Sequence, residues 1–131
     1  MGRSTRILVP SDPSAVPHAR DSVLAHVGAW GIRLDVEMSE AVKLVASELI
    51  TNAVVHVGGA ISLSVYYDDG YLLLVVHDSS PDLPVRQPAL TVDEGGHGLA
   101  LVGHFASHHG WEHTGRGKKV WAEFEVRGAK P

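Results

Sequence analysis

The chain has 131 residues, a formal net charge of -4 from eleven Lys and Arg against fifteen Asp and Glu, and no cysteine. That length suits one domain burying roughly two-thirds of its unfolded surface, and the lack of cysteine excludes a disulfide framework, thiol catalysis and thiolate metal sites. With no basic run longer than Lys118-Lys119, the charge balance gives no support to nucleic acid or an anionic membrane surface as partner.

The segment MGRSTRILVPSDPS offers only Ile7 to Val9 as consecutive apolar residues before Pro10, too few for a signal-peptide core. No stretch approaches the ~20 apolar residues of a spanning helix. Arg6 stands where a myristoylation motif has Ser or Thr. The expected location is the cytoplasm.

Arg6 to Pro10 is predicted as a short strand, closed by Pro10 and the turn-forming Ser11-Asp12-Pro13. A helix follows with Asp12 as N-cap and Pro13 at its first position, running to Trp30 and stopped by Gly31. A second helix starts at Asp35 or Ser39, either of which can cap it, and runs to Val57 before Gly58-Gly59. Ile61, Leu63, Val65 and Tyr67 then alternate with Ser62, Ser64 and Tyr66, the pattern of a strand with one buried and one polar face. Asp68-Asp69-Gly70 makes a hairpin turn into Tyr71 to Val76, which is apolar on both faces and so reads as a central strand ended by His77-Asp78. From Asp78 to Gly98 the chain is irregular, a loop length usually tied to function or disorder. A third helix is predicted from Leu99 to Ser107, then a hairpin: Trp111 to Thr114, a Gly115-Arg116-Gly117 turn, and Lys118 to Val126 with Val120, Ala122, Phe124 and Val126 facing inward.

In the second helix Met38, Val42, Val45, Leu49, Ala53 and Val57 form one apolar stripe. Glu48 and Asn52, one turn apart in SELITNAVVH, lie at its edge, and His56 falls nearer its centre. A carboxylate and an amide at a core edge need partners. In isolation they are ordinarily a solvated rim, yet an asparagine carbonyl also suits Mg²⁺, which prefers hard oxygen ligands, and a nearby glutamate can deprotonate a hydroxyl. A histidine on an apolar side is more often a hydrogen-bonded core residue than a ligand or base.

Asp78 ends a buried strand, where it either caps its own Asp-Ser-Ser-Pro turn or accepts a hydrogen bond from an exocyclic amino group. Gly95-Gly96-His97-Gly98 leads into Leu99; it is neither GxGxxG nor a P-loop, which leaves an anion-cradling lid at a helix start or a plain linker. His104, His108, His109 and His113 cluster near the end, with His104 and His108 at a spacing that can hold zinc or simply lie exposed in a turn.

Four segments, taken in order, carry a resemblance. They are ELITNAVVH (Glu48, Asn52, His56), the stretch from Asp78 through Ser80 to Pro84, GGHGLALV (Gly95, Gly96, Gly98) and GKKVWAEF (Gly117 to Phe124). Together they resemble the GHKL or Bergerat-fold ATPases, specifically the small bacterial serine kinases that act as anti-sigma factors. PSDPSAVPHAR through Gly31 looks like that family's opening strand and helix, so the likeness covers nearly the whole chain. It implies an α+β fold: a two-layer sandwich, helices covering one face of a mixed, mostly antiparallel sheet, in a single histidine-kinase-like ATPase domain over residues 1–131. It also implies ATP and Mg²⁺ as cofactors. Asn52 would coordinate Mg²⁺ and Asp78 recognise adenine. Ser80, Gly95, Gly96, Gly98 and Leu99 would line the nucleotide, Gly96 and Gly98 within the phosphate lid.

In this resemblance Glu48 is the base for the acceptor serine of an anti-anti-sigma protein, a sigma factor is the sequestered partner, and a homodimer is common. Lys119 departs from the pattern, standing where the family commonly has a threonine close to the adenine. The leading expectation is an ATP- and Mg²⁺-dependent protein serine/threonine kinase that regulates an anti-sigma switch. A nucleotide-binding module that sequesters partners without phosphoryl transfer is the main rival, and a histidine-based metal protein a third.

Overall fold

The computed structural model describes residues 2–56, 61–79 and 98–126. Its elements run in the order β1 (Arg3–Val9), α1 (Ala15–Ala29), α2 (Val36–His56), β2 (Ile61–Asp68), β3 (Tyr71–Asp78), α3 (Gly98–Phe105), β4 (His108–His113) and β5 (Lys118–Glu125). The strands form one sheet in the order β1-β2-β3-β5-β4, and every pairing among the described strands is antiparallel. The α+β two-layer architecture is the expected one, without a parallel pair among these strands. β3 takes the central place that its apolar run demanded.

Local chemistry sets the element ends. Gly31 has φ 82°, and the amides of Gly31 and Ile32 donate to the carbonyls of Gly28 and Val27, a Schellman close on α1 with Ile32 and Val27 both buried. The start of α1 differs from expectation. Asp12 Oδ1 accepts from the Ser14 amide at 3.0 Å, so the side chain is spent on a local turn, and Ser14 becomes the N-cap. Pro17 then falls in the first turn, where a missing N–H removes no helical bond. For α2 the choice between caps is settled by geometry: the Met38 amide donates to Asp35 Oδ1 at 2.7 Å, and Ser39 lies inside the helix. The β2–β3 hairpin turns on Asp69 (φ 51°) and Gly70 (φ 86°), the paired left-handed conformations of a two-residue type I′ loop.

β1 and β4 each begin three residues earlier than predicted, at Arg3 and His108. Both are sheet edges, and pairing with β2 and β5 extends segments whose own sequence carries little strand signal. α3 starts one residue early and ends at Phe105, ahead of the predicted Ser107.

The core lies between the helices and one face of the sheet. Val42, Val45, Ala46, Leu49, Ile50 and Ala53 of α2 meet Leu63, Val65, Leu72, Leu74, Val76, Val120, Ala122 and Phe124 of the inner sheet face in one buried cluster. α1 and α3 each pack on α2. On the opposite face two members of the expected polar stripe of β2, Ser62 and Ser64, are buried. Small hydroxyl side chains sit there between larger cross-strand neighbours, Ser62 between Leu8 and His77, Ser64 between Arg6 and Val75, and the Arg6 guanidinium donates to Ser62 Oγ at 3.4 Å. Among the described residues, no helix is long and apolar enough to cross a membrane.

Replacing Asp35 by Ala removes the cap of the longest helix and should lower unfolding stability by about 1 kcal/mol. Ser39→Ala, inside the helix, should cost less; urea denaturation of the two variants checks the order.

Candidate functional site

Glu48 and Asn52 occupy the second half of α2. Asn52 stands two turns after Val45, which is fully buried, and Glu48 stands two turns after Ala41, also buried. Both therefore issue from the core side of the helix, yet both remain half-exposed. The packing of α2 on the sheet, tight from Val42 to Ala53, leaves water access at these two polar groups. α2 rests directly against β3 and β5, the strands that carry the second half of the site.

Asp78 closes β3 on the inner face, continuing the series Leu72, Leu74, Val76. Its side chain is 1% exposed, and Lys118, directly opposite on β5, is 3% exposed. The Lys118 ammonium lies 3.1 Å from each carboxylate oxygen. A carboxylate this deep is tolerated because a cation and hydrogen bonds replace its water. The backbone is equally constrained: a Cβ at Gly117 would collide with the Asp78 carbonyl oxygen and the Ser79 main chain. The turn before β5 holds that glycine in place, with the Gly117 amide donating to Thr114 Oγ1 at 3.0 Å.

Lys118 was not singled out from the sequence, although a signal existed. It shares the parity of Val120, Ala122, Phe124 and Val126, so the alternation that buried those residues buried it too. The same alternation corrects the expectation for Lys119. That residue faces the other side of the sheet, opposite His77, and its ammonium is 2.7 Å from Glu112 Oε1. The side chain next to Asp78 is Lys118.

Of the remaining expected residues, Ser80, Gly95 and Gly96 lie outside the described residues. Gly98 and Leu99 are the first two residues of α3; their side chains, and that of His56 at the end of α2, also lie outside the description. α3 does pack on α2, which brings the helix that follows the glycine run beside the helix carrying Glu48 and Asn52.

The late histidines do not converge. α3 ends between His104 and His108, so the two do not share a helix face. His104 packs edge-on to Phe105, His108 Nδ1 is 3.4 Å from Glu123, and His113 stands edge-on to Trp111. Among the described residues no three metal-ligating side chains come together.

An open cavity of about 680 Å³ lies at the same end of the sheet, lined on the outer face by Arg6, Ser62, Ser64, Tyr66 and His77 and reaching Asp78, Ser79 and Arg116 at the sheet's end. It stands across the sheet from α2 and does not join Glu48 and Asn52. Burial, then the nearby Lys119 and Arg6 cations, hold the His77 pKa below the ordinary 6.5, with Asp78 opposing them.

A family model described as Histidine kinase-like ATPase domain matches residues 9–124. The anti-sigma F factor of Geobacillus kaustophilus is 33% identical over 94 residues, 60% of this chain and 64% of that protein. The chain thus spans just under two thirds of this relative's length. A crystal structure of the RsbU and RsbW domains of a Mycobacterium tuberculosis protein superposes with a TM-score of 0.72 at 17% identity, covering 98% of this chain and 33% of that one. At that identity the likeness establishes the fold.

Removing one member of the buried pair, by Asp78→Asn or Lys118→Met, should cost about 3–5 kcal/mol, whereas the double variant should recover much of the loss; urea unfolding of all four proteins closes the cycle. His77 predicts a pH dependence. A pKa depressed in the folded state means the unfolded chain binds the proton more readily, so this contribution is complete above about 6.5 and is lost as pH falls through the lowered value. His77→Gln should flatten that part of the stability-versus-pH curve, measured as the difference from the parent between pH 7.5 and 5.

Proposed function

The chain belongs to the histidine kinase-like ATPase domain family, and on that premise we propose that it is an ATP- and Mg²⁺-dependent protein serine/threonine kinase of the cytoplasm, acting in an anti-sigma switch. The observation that carries this is the pair of half-exposed polar groups, Glu48 and Asn52, on the core side of α2, where that helix lies against the strands bearing Asp78 and Lys118. Such an arrangement is costly for a core and useful for a polar ligand held between helix and sheet.

The residues present suit the proposed ligands. The Asn52 amide carbonyl is a hard oxygen donor still reachable from water, which fits a cation that keeps several waters. Mg²⁺ held there would neutralise charge on the phosphates during transfer. Asp78 offers a carboxylate acceptor for the exocyclic amino group of adenine. Ser80, Gly95, Gly96, Gly98 and Leu99 are assigned to the nucleotide, Gly96 and Gly98 within the phosphate lid, where backbone amides suit phosphate oxygens.

In the transfer, the acceptor serine hydroxyl attacks the γ-phosphorus as the bond to the ADP oxygen breaks. Glu48 takes the hydroxyl proton. The serine belongs to an anti-anti-sigma partner, and the alternate partner is a sigma factor; the name of the Geobacillus relative supports this class of partner. A homodimer is part of the same reading.

Asn52→Ala should weaken Mg²⁺-ATP binding by at least about 10–100-fold, the range seen even for groups one shell removed from a metal. Alanine is the better helix former, so α2 should remain intact by circular dichroism. Glu48→Ala should keep ATP affinity and lose about 10²–10⁴ in phosphoryl transfer to the partner. Titration calorimetry and a labelled-ATP assay read the two steps separately. Unchanged ATP affinity in Asn52→Ala removes the assigned ligand. ATP binding without any transfer by the parent protein turns the reading into a sequestering module.

A further inference from the structure

Asp78 and Lys118 are the last inward-facing pair of the β3–β5 ladder, two residues beyond the fully apolar pair Val76 and Val120. A β-branched apolar residue at position 118 would continue the core at less cost than a buried ammonium. The lysine does something a valine would not. An aspartate carboxylate turns easily about its last torsion, but here one ammonium sits 3.1 Å from both oxygens, which fixes the carboxylate plane. Gly117 packs on the backbone of Asp78 and Ser79, so the main chain beneath the carboxylate is fixed as well.

We propose that Lys118 is a specificity-determining positioning residue: by locking the plane of the Asp78 carboxylate it makes the Asp78–Lys118 pair, rather than Asp78 alone, select a 6-aminopurine over a 6-oxopurine nucleotide. The inference rests on the reading that Asp78 meets the purine base. A 6-amino group donates to the carboxylate; a 6-oxo group brings an acceptor against an acceptor. The penalty for that mismatch is largest when the carboxylate has no freedom to turn aside.

The test is a titration of the full chain with Mg²⁺-ATP and Mg²⁺-ITP, comparing the parent with Lys118→Met and Lys118→Arg. The parent should favour ATP by at least about 100-fold. Lys118→Met should reduce that preference about tenfold or more, and Lys118→Arg, which keeps a cation beside the carboxylate, should restore most of it. Should the methionine variant fail to melt cooperatively, Lys118→Gln replaces it, with the same loss of preference expected. Equal weakening toward both nucleotides, or an unchanged ratio, assigns Lys118 to structure alone and overturns the inference. A parent that binds both nucleotides equally well overturns it while leaving the ATP reading standing. A parent that binds neither sinks the ATP reading, and this inference with it.

Discussion

The register of β3 against β5 is the constraint on which the rest of the molecule turns. With Asp78 opposite Lys118, Val76 opposite Val120 and Leu74 opposite Ala122, the apolar residues of both strands face α2 and the two charges meet at the strand ends. A slip of one residue would reverse every side chain. Slipping β5 would bring Lys119 into the core in place of Lys118; slipping β3 would bring in His77 and lose Asp78 to the outer face. The ion pair therefore gains its meaning from the apolar ladder beneath it: burial makes it costly to break, and the alternation decides which residues are buried.

A second tension runs along α2. The helix is packed against the sheet over most of its length, but Glu48 and Asn52 rise from the packed side and stay half-exposed. A helix selected for stability alone would carry apolar residues at those positions, as it does at Val45 and Leu49. Conflict between core packing and polar function is common where a ligand is held between layers. Similarity of architecture to the RsbW-containing structure accounts for the layers; the chemistry has to be argued from the polar groups that interrupt them.

The two faces of the sheet also differ in electrical character. On the inner face the charges of Asp78 and Lys118 neutralise one another across 3.1 Å. On the outer face Arg6 donates only weakly to Ser62, Lys119 is paired with Glu112, and His77 between them is held toward its neutral form. A single residue of offset, Lys118 against Lys119, separates these environments.

Local pattern determined what local physics controls. The 3.6-residue stripe from Val42 to Ala53 fixed α2 and placed Glu48 and Asn52 on its edge, Gly31 stopped α1, and Asp69-Gly70 made the hairpin, because each depends on neighbours within a turn or two. Where several local options were open, tertiary structure chose. Asp35 won over Ser39 as a cap, Asp12 was taken by its own turn, and the edge strands lengthened because a paired neighbour supplied their hydrogen bonds. The burial of Ser62 and Ser64, and the meeting of Asp78 with a lysine forty positions away, were beyond the reach of any window of sequence. They arise from cross-strand neighbours, and neighbours across a sheet are set by how the whole chain folds back on itself.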